Sequence, residues 1–204
     1  MKSIQSLFLT VLILCCFFVI APVSEEVVSA GSLQLPPYPI PLPQTGQTTC
    51  YGSTGGGITC GGTGQDGEIR AGVAWPDPRF TVSGECVTDN LTGLMWSKNA
   101  DLPGGARTWQ AALDFANGLT LCGHSDWRLP NVNEMESLLH ADMSDSAAWL
   151  NTTGFTNVRS DYYWSSTSQA FSAANGWVVG MGHGSVDWGD KENFLYVWPV
   201  RSGW

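Results

Sequence analysis

The sequence predicts an α+β fold, and three observations carry the prediction. Apolar and polar residues alternate between Phe80 and Trp96, two helical stripes follow Thr108 and Asn131, and short strands separated by glycine turns return after His140. A chain that runs strand pair, two helices and then strands must bring its end back to a sheet, which is an α+β layout. No internal repeat interrupts that order.

Residues 1–30 read as a secretory signal. Lys2 precedes an almost unbroken apolar run from Leu7 to Ala21, and Val28-Ser29-Ala30 supplies the small residues a signal peptidase recognises, so the mature chain is expected to begin at Gly31. An uncut anchor is the alternative; a spanning helix needs about 20 apolar residues, and this run stops at Pro22 and the Glu25-Glu26 pair. Neither Cys15 nor Cys16 follows the small residue that lipidation wants. The expected location is extracytoplasmic (secreted, periplasmic or cell surface), with no membrane span once the signal is removed. Residues 31–49 include LQLPPYPIPLPQ, whose proline density disfavours helix and sheet and favours an extended tether.

The folded domain is expected over 50–204, as a glycine-rich disulfide loop over 50–78 and a main body over 79–204. Of the 6 cysteines, Cys15 and Cys16 fall in the signal; Cys50, Cys60, Cys86 and Cys122 remain, an even number suited to an oxidising compartment. Pairing of Cys50 with Cys60 and of Cys86 with Cys122 is preferred among the alternatives. The Gly, Ser and Thr stretch between Cys50 and Cys60 buries too little to hold a shape, so a short-loop disulfide would give it one. A four-cysteine zinc site would want a CxxC pair, and none exists. Gln65-Asp66-Gly67-Glu68 has the acidic, glycine-bearing look of a calcium loop but lacks the alternating oxygen ligands of an EF-hand.

In the body, Phe80 and Val82, then Cys86-Val87-Thr88 and Leu94-Met95-Trp96, lie around the turn-rich Asp89-Asn90-Leu91-Thr92-Gly93 and predict a β-hairpin. Thr108 is placed to cap a helix with Trp109, Ala112, Leu113 and Ala116 on one face, ending near Gly118. A second helix starts after Pro130: Asn131 caps it, Glu134 reaches back, and Val132, Met135, Leu138 and Leu139 form its buried stripe. Strands are expected at Tyr162 to Ser166, Trp177 to Val179, near Ser185 to Trp188, and from Phe194 to Val200, with no helical period after His140.

Composition and charge narrow the function. The formal charge of −9 becomes −8 when Lys2, Glu25 and Glu26 leave with the signal, so the mature surface repels polyanions. Nucleic acid is excluded as a general partner, because it is held mainly through Lys and Arg contacts to phosphate. With 13% charged residues, 24 Gly and 10 Trp, the chain is a loop-rich domain whose core leans on large aromatics.

The segments DWRLPNVNEMESLL from Asp126, YYWSSTS from Tyr162 and YVWPVRSG from Tyr196, with TDNLTGLMW before the first helix, resemble the C-terminal domain of the Legionella collagen-like protein. That is a bacterial domain whose fold is related to C-type lectins, and the similarity covers roughly Cys50 to Trp204. The resemblance implies two helices packed on short antiparallel strands with long loops. Trp127, Arg128, Leu129, Pro130, Glu134, Trp164, Trp198 and Arg201 are then signature positions: Trp127 and Leu129 plug the core, and Arg128 needs a partner such as Glu134 or Glu136. The relative is an adhesin that engages sulfated glycans, and the negative charge here argues against carrying that ligand over.

C-type-lectin-like folds bind through irregular loops and short strands late in the chain, here about Gln169 to Asn193. Phe171, Asn175, Trp177, Met181, His183, Asp187, Trp188, Asp190, Glu192 and Asn193 mix aromatic platforms with short polar groups, suiting an extracellular glycan or protein ligand. Trp177, Val179, Met181 and His183 alternate onto one strand face, which is either core or binding surface. Calcium at Asp187, Asp190, Glu192 and Asn193 is chemically conceivable. The Glu-Pro-Asn or Gln-Pro-Asp triplet of calcium lectins is absent, so no cofactor is expected.

An enzyme reading comes from the formylglycine-generating enzymes, which share the broad fold and an RLP-plus-Glu signature like Arg128-Leu129-Pro130 and Glu134. They depend on late cysteines, and nothing after Cys122 is cysteine. His124, His140 and His183 sit in no nucleophile-elbow motif, so a non-catalytic binding or adhesion module is expected. Another reading is a hypervariable display protein of a diversity-generating retroelement, whose variable stretch would fall before YVWPVRS.

Overall fold

The computed structural model describes residues 42–203; the expected signal over 1–30 and the spacer through residue 41 lie outside the described residues. From Leu42 on, the remainder of the expected tether is packed rather than free. The Gln44 amide donates to the Val73 carbonyl and the Val73 amide to the Leu42 carbonyl, the Trp75 indole donates to the Gln44 carbonyl at 2.7 Å, and Thr48 and Thr49 both bond the Asp142 carboxylate.

The glycine-rich loop takes its shape from the Cys50–Cys60 disulfide, a two-stranded sheet of β1 (Cys50–Tyr51) and β2 (Gly57–Ile58), and the single turn α1 (Asp66–Ile69). The acidic segment once compatible with a calcium loop serves that turn: the Glu68 carboxylate accepts from the Gly62 and Gly64 amides at 2.6 and 2.7 Å. Gly67 is required there, because a Cβ would lie 2.5 Å from the Thr49 carbonyl.

The expected hairpin is a three-stranded meander, β3 (Phe80–Ser83), β4 (Cys86–Asp89) and β5 (Leu94–Ser97), completed by β9 (Val200–Ser202) in the order β3-β4-β5-β9. All its pairings are antiparallel, with Met95 opposite Arg201. The last strand is therefore shorter and later than Phe194 to Val200. Pro199 has no amide to donate, and before it only single bridges form, Leu195 to Arg107 and Tyr196 to Tyr163. The Cys86–Cys122 disulfide ties β4 to the segment after the first long helix, giving the preferred pairing at both bonds.

That helix, α2 (Trp109–Asn117), buries Ala112 and Ala116 as the stripe predicts. Thr108 sits at its N-cap but its side chain makes no capping bond, and the Trp109 amide bonds the Lys191 carbonyl instead. The second helix, α3 (Val132–Glu136), is shorter than its stripe. Asn131 and Glu134 form the full capping box, with bonds of 2.9 and 2.8 Å, but the chain then tightens into i to i+3 turns through Leu138 and Leu139. A further short helix, α4 (Ser146–Leu150), is capped by the Asp145 carboxylate on the Ala148 amide.

The remaining strands, β6 (Tyr162–Ser168), β7 (Asn175–Gly180) and β8 (Ser185–Asp190), form an antiparallel sheet in sequence order. Both faces carry core. Tyr163 and Val179 join Trp96, Phe155, Met135 and Trp198 in one cluster; Trp164 and Val178 join Leu129, Val197 and the α2 alanines in another. The fold is thus a small mixed one, with few helices, several antiparallel sheets and two disulfides.

The signature positions are buried or paired within the fold. Trp127, Leu129, Trp164 and Trp198 are buried, and Arg201 is buried with its guanidinium on Asp126 at 2.7 and 3.1 Å. Arg128 forks onto both Glu134 oxygens at 2.7 and 2.6 Å, which orients the carboxylate that closes the capping box. Burial works against the Glu134 charge, but Arg128 and the Asn131 amide outweigh it and hold the carboxyl below its ordinary value.

Candidate functional site

The sheet β6-β7-β8 and the turn after it carry most of the residues expected to meet a ligand. Register places Trp177 opposite Trp188, Val179 opposite Val186 and Asn175 opposite Asp190 on one face, with Val178 and Asp187 on the other. Val179 is buried at the inner end of its face, whereas Trp188 on the outer strand is 53% exposed. The face is therefore core toward β6 and surface toward β8.

The expected set does not stay together. Met181 is fully buried in the turn after β7, so it is core and not a contact residue; its amide bonds the Asp161 carbonyl. His183 lies in the same turn, exposed, and faces the 139–146 segment rather than the Trp177 face. The strand ends at Gly180, three residues earlier than the alternation through His183 requires. Asn175 is half-buried and spends its amide on Gln169 at 3.1 Å, and Phe171 stands alone at 97% exposed. Asp187, Trp188, Asp190, Glu192 and Asn193 remain exposed together along β8 and the following turn.

Beside β8, a depression of about 150 Å³ is lined by Tyr162, Val178, Asp187, Trp188, Asn193 and Leu195, among others. It is too small for a drug-sized ligand, for which pockets run from about 300 Å³, and takes a single ring or side chain. Gly189 keeps it open to the core beneath, since a Cβ there would lie 3.3 Å from the Trp164 ring. The only cation in the β8 turn is engaged: Lys191 bonds Ser168 at 2.7 Å and the Ala173 carbonyl at 2.9 Å, and sits 3.9 Å from the Trp109 ring centre. None of Asp187, Asp190 or Glu192 is in a salt bridge among the described residues.

Asp187, Asp190, Glu192 and Asn193 do not converge as ligands. Asp187 accepts from the Trp188 amide at 2.8 Å and Asp190 from the Glu192 amide at 2.9 Å, and among the described residues no group of three or more His, Cys, Asp or Glu side chains is placed to hold a metal ion.

A second concave region, which the sequence reading does not anticipate, surrounds residues 139–149. Trp149, Met143 and Asp145 line a cavity of about 370 Å³, and Met143, His140 and His183 line an adjoining one of about 310 Å³. Behind them His140 packs edge-on against Trp75 and Trp149, at 4.8 and 4.7 Å between ring centres. Arg79 lies 4.1 Å from the Trp75 ring centre, and Gly46 passes so close that a Cβ would meet both Trp75 and His140 within 3 Å. Three aromatic residues spread over 75 positions of sequence leave no local signal, which is why only the structure gathers them.

Burial holds the His140 imidazole below its ordinary value of 6.5, with Arg79 acting in the same direction and Asp142 opposing. A base whose folded value is depressed binds its proton more readily unfolded, so stability is full above about pH 6.5 and falls as the pH drops through that value toward the folded one. Urea midpoints are expected to decline as the pH falls below about 6.5, and His140→Phe is expected to flatten that decline. An unchanged slope in the variant would place the titration elsewhere.

A family model, the Lcl C-terminal domain, matches residues 85–201. No curated protein matches the chain. The matched span begins in the turn between β3 and β4 and ends in β9, so it takes in β4 and β5, the β6-β7-β8 sheet, α2 to α4 and the whole β8 surface, and leaves out β3 and the disulfide loop.

Proposed function

The chain belongs to the Lcl C-terminal domain family, and from that membership we propose that it is a non-catalytic binding module of the cell exterior, whose ligand surface is β8 with the turn that follows. We read the fold as C-type-lectin-like, with the signature residues building the body and the late strands presenting the ligand surface. The observation that carries the proposal is Trp188. A tryptophan 53% exposed on an outer strand contributes little to the core, Asp190 shares its face of β8, and Asp187 and Asn193 line a depression with it, so directional hydrogen bonding lies next to an aromatic platform. Trp faces of this kind stack on sugar rings or on peptide side chains. Two disulfides agree with an oxidising, extracytoplasmic setting, and among the described residues no helix is long and apolar enough to cross a membrane.

A glycan and peptide array, run with and without EDTA, tests the reading. Binding is expected to persist in EDTA, because the carboxylates of β8 are not gathered as a calcium site. Trp188→Ala is expected to weaken the retained ligand by about 30-fold or more, the loss of one hot spot worth about 2 kcal/mol. A ligand bound equally well by Trp188→Ala would move the site away from β8.

A further inference from the structure

We infer that the partner at β8 is an extended, basic protein segment that joins the sheet as a fourth strand beyond β8. This rests on the reading of β8 as the ligand surface and names what that surface takes. The β6-β7-β8 sheet ends at β8, which has a strand on one side only. Its hydrogen-bonding phase is set by the bond from the Lys191 amide to the Ala174 carbonyl, in register with the ladder. Ser185, Asp187 and Gly189 therefore bond inward to β7, and Val186, Trp188 and Asp190 turn their backbone groups outward.

Part of that outer edge is already spoken for. The Trp188 amide bonds the neighbouring Asp187 carboxylate, and the Asp190 carbonyl accepts from the Asn193 amide at 2.8 Å. The Val186 amide and carbonyl, the Trp188 carbonyl and the Asp190 amide have no protein partner among the described residues. An open edge of this kind is a template for strand addition.

Charge decides between occupants. A second copy would bring the same Asp187 and Asp190 and the same negative surface, which repels. An incoming basic strand meets the opposite situation. Its residue across from Asp187 falls on the same face within reach of that carboxylate, its residue across from Asp190 likewise, and an apolar residue between them faces Trp188. Asp187 is then drawn from the Trp188 amide to the partner's cation, and the amide passes to a partner carbonyl, so the recognition opens the edge that the free chain keeps closed.

The test uses the full chain and three series of short labelled peptides read by anisotropy: peptides with a Lys-Val-Val-Lys core, which sets a lysine across from each of Asp190 and Asp187 and a valine across from Trp188, the same peptides with glutamate for lysine, and the lysine series N-methylated where its amides would face β8. The lysine series is expected to bind and to weaken with salt, and the other two to bind at least about tenfold more weakly. Equal binding of the N-methylated series overturns strand addition, and equal binding of the glutamate series overturns the basic partner. Val186→Pro removes an outward amide and is expected to repeat the N-methyl loss; if that variant does not fold, the methylated peptides read the same bond from the other side. Should no peptide bind while a glycan does so through Trp188, the strand proposal fails and the binding-module reading stands; should neither bind, both fail.

Discussion

Trp198→Ala is expected to cost about 3–5 kcal/mol, the range for a fully buried large aromatic cut to a methyl. Trp198 is completely buried where the four-stranded sheet meets the β6-β7-β8 sheet, with Trp96, Phe155 and Tyr163 at 5.5, 5.0 and 5.7 Å between ring centres. Its indole donates to the Ser97 carbonyl at 2.9 Å, so the truncation both opens a cavity and orphans a buried acceptor. Its neighbours are clamped from other elements, with the Tyr163 hydroxyl accepting from the Arg159 amide, so the site has little room to collapse. Thermal unfolding is expected to shift down on the order of 10 °C. A loss below about 1 kcal/mol would mean that the two sheets are not joined through this residue.

Arg79→Leu is expected to cost a similar amount, about 3–5 kcal/mol, for a different reason. Arg79 and Asp89 are both buried, joined by bonds of 3.3 and 3.2 Å, and Arg79 also donates to the Ser137 carbonyl ahead of the second concave region. Its Nη1 has no partner among the described residues, and the guanidinium lies against Trp75 and Phe80. Removing the cation strands a buried carboxylate that is also bonded to the Leu91 amide and the Thr92 hydroxyl at the β4–β5 turn. Arg79→Leu with Asp89→Asn is expected to recover part of the loss, because an amide oxygen still serves that turn without an unpaired charge. Equal unfolding midpoints for the single and double variants would contradict the charge explanation.

What could be read from the sequence divides along a physical line. Local signals were legible: the Asn131 and Glu134 capping box, the α2 stripe, the meander strands and the cysteine pairing all depend on residues a few positions apart or on composition. Alternation alone misplaced Met181 and His183, because the period of two says nothing about where a strand stops, and β7 stops at Gly180. Pro199 carried the information that the final strand begins late, since it has no amide to donate to a ladder, although its carbonyl accepts from the Ser97 amide. The short α4 falls below the length at which helical periodicity shows, although Asp145 in front of it is a recognisable cap. The buried Arg79–Asp89 pair and the Trp75, His140 and Trp149 cluster are products of long-range packing, and no spacing announces them. For the ligand surface, the sequence named the right stretch of chain but could not separate Trp188, which the structure leaves open, from Trp177, half-buried beside it.

That separation is what the functional reading stands on, and one pair of measurements on Trp188→Ala addresses it. Urea denaturation of the variant is expected to stay within about 1 kcal/mol of the parent, as for a side chain outside the core. Its affinity for the ligand or peptide retained by the parent is expected to fall by about 30-fold or more. A variant that loses about 3 kcal/mol of stability, or one that keeps full affinity, would show that Trp188 is a core residue or a bystander and that β8 is not the binding surface.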